Sequence, residues 1–250
     1  MSAPPEPRPP ASPPPLKKLT RVALRRRYYP CQPLGSALYA LPECGLVYVK
    51  NPKAGCSTLL LWLSRLHSCD DTFAPRDIHR NGLIPPPAEI GWPVVLRMLA
   101  GGAYRFTFVR DPLTRLESAY FDKVVKASNP RWRNQVRRSL GQELDGGPRP
   151  SFEEFLTAAE RQDPVAEMDP HWRPQHINLM HPDVTYDHIG RLESFADDLA
   201  VIRSAVGIRE IPVTYRNQGT RPTSSVYDDR PDLVRRVRAL YAADIELYGY

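Results

Sequence analysis

The sequence predicts an α/β fold: a single domain with a central, mainly parallel sheet flanked by helices. Two segments support this prediction, residues 47–63 and residues 104–126. In each, an apolar run rich in β-forming residues leads through a short polar turn into a helical run. Strand, helix, strand, helix is the pattern of a βαβ unit with parallel strands. The length of 250 residues is sufficient for one such domain.

The elements of the amino-terminal half are apolar runs bounded by Pro, Gly or capping residues. In chain order they are strands over 36–41 and 46–50, a buried helix over 58–66, a Pro-rich connection over 73–87, a short helix over 93–100, a strand over 104–109 and a helix over 113–126.

The carboxyl-terminal half begins with a polar, Gly-rich stretch over 129–150, which predicts a surface excursion. Ser151 and Glu154 then form a capping box that opens a helix. The remaining elements are a loop rich in His and Trp over 163–182, a strand over 184–189, a helix over 193–206, a short strand over 211–215 and a closing amphipathic helix over 231–248.

Residues 1–20 are predicted to be a disordered, Pro-rich and basic leader, which places the domain at residues 21–250. The net charge is +6, and basic residues are dense between Lys17 and Arg27. Such an arm is a solvated surface or a contact for anions, including a peripheral contact with a membrane. No nucleic-acid partner is predicted, because no recognition fold accompanies the basic residues. The sequence leaves the oligomeric state open.

Neither a membrane span nor a secretory signal is recognisable, which predicts a soluble, cytoplasmic protein. The four cysteines are widely spaced and form no C-x-x-C pair. In a reducing compartment we expect them to be free thiols. They are Cys31, Cys44, Cys56 and Cys69.

Two turns between a strand and a helix are predicted to hold anions. In the first, Pro52-Lys53-Ala54-Gly55 precedes a helix whose first N–H groups point at the turn. In the second, Arg110 ends a strand, while Asp111 caps the next helix and Pro112 occupies its first position. A phosphate fits each turn.

A nucleoside-triphosphate kinase is poorly supported. Its G-x-x-x-x-G-K-[ST] loop places the lysine after the glycine, whereas Lys53 precedes Gly55 here. No apolar strand ends in an acidic residue that would hold Mg²⁺. A P-loop-type small-molecule kinase and an inactive nucleotide-binding relative are kept as alternatives.

Both turns resemble motifs of the sulfotransferases that use 3′-phosphoadenosine 5′-phosphosulfate (PAPS). Residues 50–58 resemble their 5′-phosphosulfate loop, and residues 110–120 resemble their 3′-phosphate motif. The carbohydrate sulfotransferase branch that modifies chondroitin and dermatan is the most similar. Residues 171–175, 186–193 and 241–250 also fit that branch, so the resemblance covers most of the predicted domain.

This resemblance implies a P-loop-like nucleotide-binding fold and in-line sulfonate transfer without a metal, with adenosine 3′,5′-bisphosphate (PAP) as product. It assigns Lys53 to the leaving group and Arg110 and Ser118 to the 3′-phosphate. Arg216, in a late basic loop over 215–221, is a further candidate for a donor contact. The 5′-phosphate is assigned to the loop residues Lys53, Ala54, Gly55, Cys56, Ser57 and Thr58.

The acceptor hydroxyl loses a proton as it attacks, so a general base is needed. His79 ranks first because several glycan sulfotransferases place a catalytic histidine between the two donor motifs. His171, in the His-Trp loop, ranks second and could instead orient the substrate.

Two departures from the resembled branch favour a bacterial, cytoplasmic enzyme. Animal members that modify glycans are anchored in membranes of the secretory pathway, and no anchor is recognisable here. Members also carry a cysteine pair shortly after His-Trp, where this chain has Leu179-Met180-His181-Pro182. The acceptor is therefore a glycan, a glycolipid precursor or another small hydroxylated molecule.

Overall fold

A computed structural model describes residues 20–144, 147–216 and 224–250. Within these ranges β1 is antiparallel to β2, while β2, β3 and β4 are parallel to one another, which confirms the mainly parallel sheet. All of the predicted leader except Thr20 lies outside the described residues. In spatial order the strands of the described sheet are Leu38–Leu41 (β1), Leu46–Val49 (β2), Tyr104–Val109 (β3) and His188–Arg191 (β4).

Helices flank this sheet. The α-helices of the described ranges are Arg21–Tyr28 (α1), Cys56–Ser68 (α2), Ile78–Asn81 (α3), Pro87–Ile90 (α4), Trp92–Arg97 (α5), Pro112–Ala119 (α6), Arg131–Leu140 (α7), Phe152–Arg161 (α8), Gln175–Asn178 (α9), Phe195–Val206 (α10), Pro231–Leu240 (α11) and Ala242–Tyr248 (α12). Short 3₁₀ turns occupy Leu34–Ala37, Pro42–Cys44 and Leu192–Ser194. Wider π-helical turns extend α5 over Met98–Gly102 and α6 over Tyr120–Lys126.

The two faces of the sheet are buried under different helices. Because side chains alternate along a strand, Leu46 and Tyr48 of β2 pack with α2 and α10, and Val47 and Val49 pack with α1 and α5. The helix α2 is apolar around most of its circumference, as its burial requires. A third apolar cluster joins α6, α7, α8 and α11 beside the sheet.

Several predictions of local structure were wrong. The connection predicted over 73–87 contains α3 and the start of α4, and the loop predicted over 163–182 contains α9. The polar stretch over 129–150 contains α7. Its many arginines made the sequence look like a loop, although Val136 within it is buried. Residues 211–215 form no strand, although Ile211 is buried. The Arg65 guanidinium supplies a partner for this segment instead, because it donates to the Pro212 carbonyl at 3.0 Å.

Two further boundaries differ from the prediction. The fourth strand is β4, which begins at His188, rather than the predicted 184–189. The residue before it, Asp187, uses its side chain to bind the neighbouring strand. Its carboxylate accepts from the backbone N–H of Arg105 at 2.8 Å. The closing helix divides at Tyr241, whose hydroxyl donates to the Trp172 carbonyl and so ties this break to the loop before α9.

Candidate active site

The two predicted anion turns lie side by side at one edge of the sheet. Because β2 and β3 are parallel, their carboxyl ends meet there. The Arg110 guanidinium donates to the Lys53 carbonyl at 3.3 Å, so the turns touch. Both turns open on one cavity of about 1110 Å³. Of the predicted site residues, those that line it are Lys53, Gly55, Cys56, Ser57, Thr58, His79, Arg110, Ser118, His171 and Arg216.

The turn between β2 and α2 has an unusual backbone. Lys53 and Gly55 both have positive φ, of 71° and 78°, and such a left-handed position favours glycine. A Cβ on Gly55 would also lie 3.1 Å from Leu192 and Phe195. Gly55 caps α2 without a side chain, so the first turn of the helix presents its N–H groups at the cavity. Ala54 is fully buried and does not line the cavity.

The turn between β3 and α6 is capped as predicted. The Asp111 carboxylate accepts from the Thr114 N–H at 2.9 Å, and Pro112 is in the first turn. The Arg110 Nε donates to the Thr114 hydroxyl at 3.1 Å, which directs the guanidinium along the helix. Thr114 and Ser118 are four residues apart, so they share the face of α6 that borders the cavity. Arg110 and Ser118 thus both line this part of the molecule's cavity wall.

Lys53 is paired with an acid that the sequence analysis did not identify. Its Nζ lies 3.0 Å from the Asp122 carboxylate, and Lys123 Nζ lies 3.1 Å from the same carboxylate. Burial lowers the pKa of Lys53, and Asp122 partly opposes that effect. Burial raises the pKa of Asp122, but the two ammonium groups outweigh it and lower that pKa.

His79 contacts the first turn of α2. Its Nε2 lies 2.9 Å from the Ser57 hydroxyl. Burial raises the pKa of the Cys56 thiol, but a hydrogen bond from His79 and the nearby Lys50 and Lys53 outweigh it and lower that pKa to about 7. The positive potential at this loop therefore stabilises a thiolate, and it would stabilise a bound anion for the same reason.

His171 is paired with a buried carboxylate. Its Nδ1 lies 2.5 Å from Asp169, which also accepts from the Trp132 indole at 3.2 Å. Burial lowers the pKa of His171, so the ring is neutral at pH 7. Burial raises the pKa of Asp169, but hydrogen bonds from His171 and Trp132 hold it at about 2. The ionised Asp169 therefore accepts a hydrogen bond from Nδ1–H of the neutral ring, which leaves Nε2 as the basic nitrogen.

Arg216 reaches the first turn of α2 from the late loop. Its backbone N–H donates to the Thr58 hydroxyl at 3.0 Å, and its guanidinium donates to the Pro75 carbonyl. Residues 217–221 of the predicted loop lie outside the described residues. Arg216 therefore borders the same loop that is expected to hold the 5′-phosphate.

A buried polar network lies behind the cavity. Gln175 is its centre, because its Oε1 accepts from Asn51 Nδ2 at 2.8 Å and from the Arg110 N–H at 3.0 Å. Its Nε2 donates to the Arg110 carbonyl at 2.8 Å. The network consists of Asn51, Arg115, Arg173, Gln175, Asn178 and Asp244, each at most 2% exposed. One side chain thus fixes the ends of β2 and β3 relative to each other.

Arg115 belongs to this network rather than to the cavity. It is 2% exposed and does not line the cavity, although it lies inside the motif of the second turn. Its guanidinium donates to the carbonyls of Pro52, Pro170 and Arg173 at 2.9–3.0 Å. Arg115 therefore ties the first turn to the His-Trp loop.

Several cavity residues were missed in the sequence analysis. Asp122 lies four residues after Ser118, a spacing that would have placed it on the same helix face. Asp169 lies two residues before His171, within reach of that side chain. Trp132 and Lys123 gave no signal of this kind, since only the packing of α7 brings Trp132 to His171, with ring centroids 6.2 Å apart.

Charge along the cavity walls is mainly positive. The cations that line it in the described ranges are Lys50, Lys53, Arg80, Arg110, Lys123, Lys126, Arg131 and Arg216. The acids are Asp77, Glu117, Asp122 and Asp169. No group of three or more His, Cys, Asp or Glu side chains in these ranges is arranged to hold a metal ion. The cysteines are free thiols, as predicted.

Comparison with known proteins places this site in a family. The model of the sulfotransferase family matches residues 37–250. Carbohydrate sulfotransferase 12 of Xenopus laevis is 28% identical over 170 residues, which are 58% of this chain and 40% of that protein. Carbohydrate sulfotransferase 14 of Danio rerio is 28% identical over 232 residues, which are 83% of this chain and 60% of that protein. Human carbohydrate sulfotransferase 8 is 30% identical over 179 residues, which are 64% of this chain and 41% of that protein.

These matches have limits of coverage. The chain spans 40–60% of the length of these three relatives. No solved structure matches it. None of the helices in the described ranges is long and apolar enough to span a bilayer.

The expectation of a bacterial, cytoplasmic enzyme was wrong. The matching relatives are carbohydrate sulfotransferases of vertebrates, the class whose animal members work in the secretory pathway. The expectation came from failing to recognise an anchor and a cysteine pair, and neither feature determines the source or the compartment of a chain. What the site and the matched residues establish together is that this chain belongs to the sulfotransferase family.

Proposed function

We propose that this chain transfers the sulfonate group of PAPS to a hydroxyl group of a carbohydrate. The observation that carries the proposal is the pair of anion-binding turns, in contact through Arg110 and Lys53, on one cavity. PAPS carries phosphate at both ends of its adenosine, so it needs two such turns. The carbohydrate acceptor is inferred from the names of the similar relatives.

The residues of both turns suit the two ends of the donor. The first turn of α2, from Gly55 to Thr58, offers backbone N–H groups to the 5′-phosphate. Arg110 and Ser118 border the position of the 3′-phosphate, where a guanidinium binds two oxygens at once. Arg216, whose backbone N–H donates to Thr58, also lines the cavity and adds a positive charge there.

Transfer then follows an in-line path. The acceptor oxygen forms a bond to sulfur while the bond between sulfur and the 5′-phosphate oxygen breaks, and PAP leaves with the electron pair of that bond. The Lys53 ammonium, at the start of the phosphate-binding turn, neutralises the charge that develops on the leaving oxygen. The acceptor proton goes to a base that lines the same cavity.

His171 is the base in this proposal. Its Nδ1 proton is held by Asp169, so Nε2 receives the acceptor proton and the ionised Asp169 stabilises the resulting imidazolium. His79, ranked first from the sequence, already bonds the Ser57 hydroxyl through Nε2, which suits it to positioning the loop. The contacts of the two rings therefore favour His171 over His79 as the base.

Sulfonate transfer is tested with the full chain, PAPS with a labelled sulfonate and a panel of oligosaccharides. We expect label on an oligosaccharide that gains the mass of one sulfonate group. Lys53→Ala is expected to lower kcat by about 10²–10³-fold, the usual effect of losing one charge-stabilising donor. Arg25→Ala, an exposed change on α1, is the matched control and keeps wild-type kcat. PAP binding without transfer to any acceptor would favour the inactive-relative alternative.

The choice of base is tested by comparing three histidine variants. His171→Ala is expected to lower kcat by about 10²–10⁴-fold and His79→Ala by less. His67→Ala is the control, because His67 pairs with the exposed Glu43 outside the cavity. In the wild type, kcat should rise with pH through a value below 6.5, since burial lowers the pKa of His171. A larger loss in His79→Ala would reject His171 as the base.

A further inference from the structure

We propose that Asp122 is a positioning residue for Lys53, and this inference rests on the proposed function. Before the donor binds, the carboxylate holds the Lys53 ammonium at the cavity and keeps it protonated. When the donor binds, its sulfonate takes the place of Asp122, and Lys123 remains as the partner of the carboxylate.

The geometry of the pair is the first support for this role. Asp122 lies on the π-helical turn after α6, whereas Lys53 lies on the turn after β2, so the pair bridges two walls of the cavity. The side chain of Lys53 is only 16% exposed, while that of Asp122 is 46% exposed. The lysine is thus confined, and its partner lies on the open side, where a ligand enters.

The backbone of Lys53 is the second support. Its φ of 71° is in the left-handed region, where a lysine is strained. Strain of this kind is kept at functional sites when surrounding contacts hold the residue. The bonds from Arg110 to the Lys53 carbonyl and from Lys53 to Asp122 are two such contacts.

Lys123 explains how Lys53 is released. Both ammonium groups contact the same Asp122 oxygen, at 3.0 and 3.1 Å. Lys123 is also anchored over the Trp132 ring, 4.5 Å from its centroid. When Lys53 turns to the donor, Asp122 keeps one cation, so no half-buried carboxylate is left unpaired. The exchange therefore costs less than breaking an isolated ion pair.

The charge on Lys53 depends on all the groups that face it. Burial and the positive groups disfavour the ammonium form, whereas the Asp122 carboxylate and the Cys56 thiolate favour it. The charged or titratable groups that face Lys53 from the elements around it are Asp122, Lys123, Cys56, Arg110 and His171. Among them, Asp122 accepts a hydrogen bond from the Lys53 ammonium itself. Its removal should therefore change the charge on Lys53 most.

Asp122 is not the base of the reaction. Two ammonium groups hold its carboxylate ionised and lower its pKa, so it accepts a proton poorly at neutral pH. An ionised acid in contact with the Lys53 ammonium can instead act through that lysine.

The test measures the reactivity of Lys53 directly. The donor-free full chain is labelled briefly with acetic anhydride across pH 7–11, and the acetylation of each lysine is followed by mass spectrometry. We expect the midpoint of Lys53 labelling to fall by about one pH unit in Asp122→Asn, because a carboxylate in contact typically shifts a neighbour by one unit or more. Asp122→Glu should restore most of the wild-type midpoint.

Two controls separate this role from a general loosening of the chain. Asp71→Asn removes a carboxylate from an exposed pair with Arg209 outside the cavity, and it should leave the Lys53 midpoint unchanged. Lys50, which follows β2 and whose ammonium lies against Tyr39, is the internal reference in the same spectra. A Lys53 midpoint that stays at the wild-type value in Asp122→Asn overturns the inference, and so does an equal shift of Lys53 and Lys50.

Activity then distinguishes the inference from the proposed function. In an active chain, Asp122→Asn should move the alkaline limb of the kcat profile down by the same interval as the labelling midpoint. A labelling shift in a chain that transfers no sulfonate supports the Lys53 pairing but rejects the proposed function. Transfer with no shift in either measurement supports the function and rejects the inference.

Discussion

The cavity and the buried polar network are built from the same stretches of sequence but have opposite characters. Lys53, Arg110 and His171 border the cavity, where their charged or basic groups can meet a ligand. Asn51, Arg115 and Gln175 lie next to them in the chain, yet all three are at most 2% exposed and bond to protein groups. One region is suited to contact a ligand, and the other holds the first in shape.

This difference shows that a motif is not a list of ligand contacts. Arg110 and Arg115 stand five residues apart in one motif, but only Arg110 faces the cavity. Arg110 lies before the N-cap residue Asp111, whereas Arg115 lies within α6, so the spacing in the sequence does not place the two side chains on one face. Substitutions in the cavity should therefore change binding and turnover, whereas substitutions in the network should change stability first.

The largest expected effect is that of Arg115→Met. The change removes three hydrogen bonds to backbone carbonyls and leaves buried carbonyl groups without that donor. We expect the free energy of unfolding to fall by about 4 kcal/mol, measured by urea denaturation. Arg110→Met is the control, with a loss below about 1 kcal/mol but roughly tenfold weaker PAP binding. Equal stability of the two variants would break the comparison.

Gln175→Ala should have the next largest effect. Its side chain joins Asn51 to both backbone groups of Arg110, so its loss loosens the ends of β2 and β3 together. We expect a loss of about 3 kcal/mol in unfolding free energy. Gln142→Ala, at an exposed site, is the matched control and stays within about 0.5 kcal/mol of the wild type. If both variants were equally stable, Gln175 would not hold the two strand ends together.

Asp169 borders both regions, and it gives a pH test. Its pKa of about 2 lies below the ordinary 3.8, so the folded state binds this proton less readily than the unfolded chain. The stabilisation is complete above about pH 4 and is lost as pH falls towards 2, a change of roughly 2 kcal/mol. The free energy of unfolding of the wild type and of Asp169→Asn is measured between pH 2 and pH 6, and the difference between the two gives this contribution. A difference that stays constant below pH 4 would contradict the prediction.

Ser118→Ala should have the smallest effect and the most local one. The hydroxyl borders the cavity on α6, where a phosphate oxygen would accept its hydrogen bond. We expect PAP affinity to fall about fivefold, or about 1 kcal/mol, in a calorimetric titration. Stability should stay within about 0.5 kcal/mol of the wild type. Ser204→Ala, an exposed change on α10 outside the cavity, should change neither quantity. Unchanged PAP affinity in Ser118→Ala would remove Ser118 from the donor site.

Strong periodic patterns predicted most of the fold. The apolar runs that precede the two turns are β2 and β3, and the helices that follow them begin within two residues of the predicted starts. The prediction failed where tertiary contacts replace local signals. Residues 211–215 bond to Arg65 instead of a strand, and α7 buries Val136 among arginines that made the stretch look like a loop.

The sequence by itself determined the two anion turns, because a left-handed Gly55 and an Asp-Pro cap are local requirements of the backbone. It also determined which charged residues accompany those turns. The tertiary structure alone decided that Lys53 meets Asp122, that Asp169 orients His171 and that Arg115 is buried. These pairings depend on where separate elements pack, and the distance between two side chains from separate elements is set only when the sheet and its helices assemble.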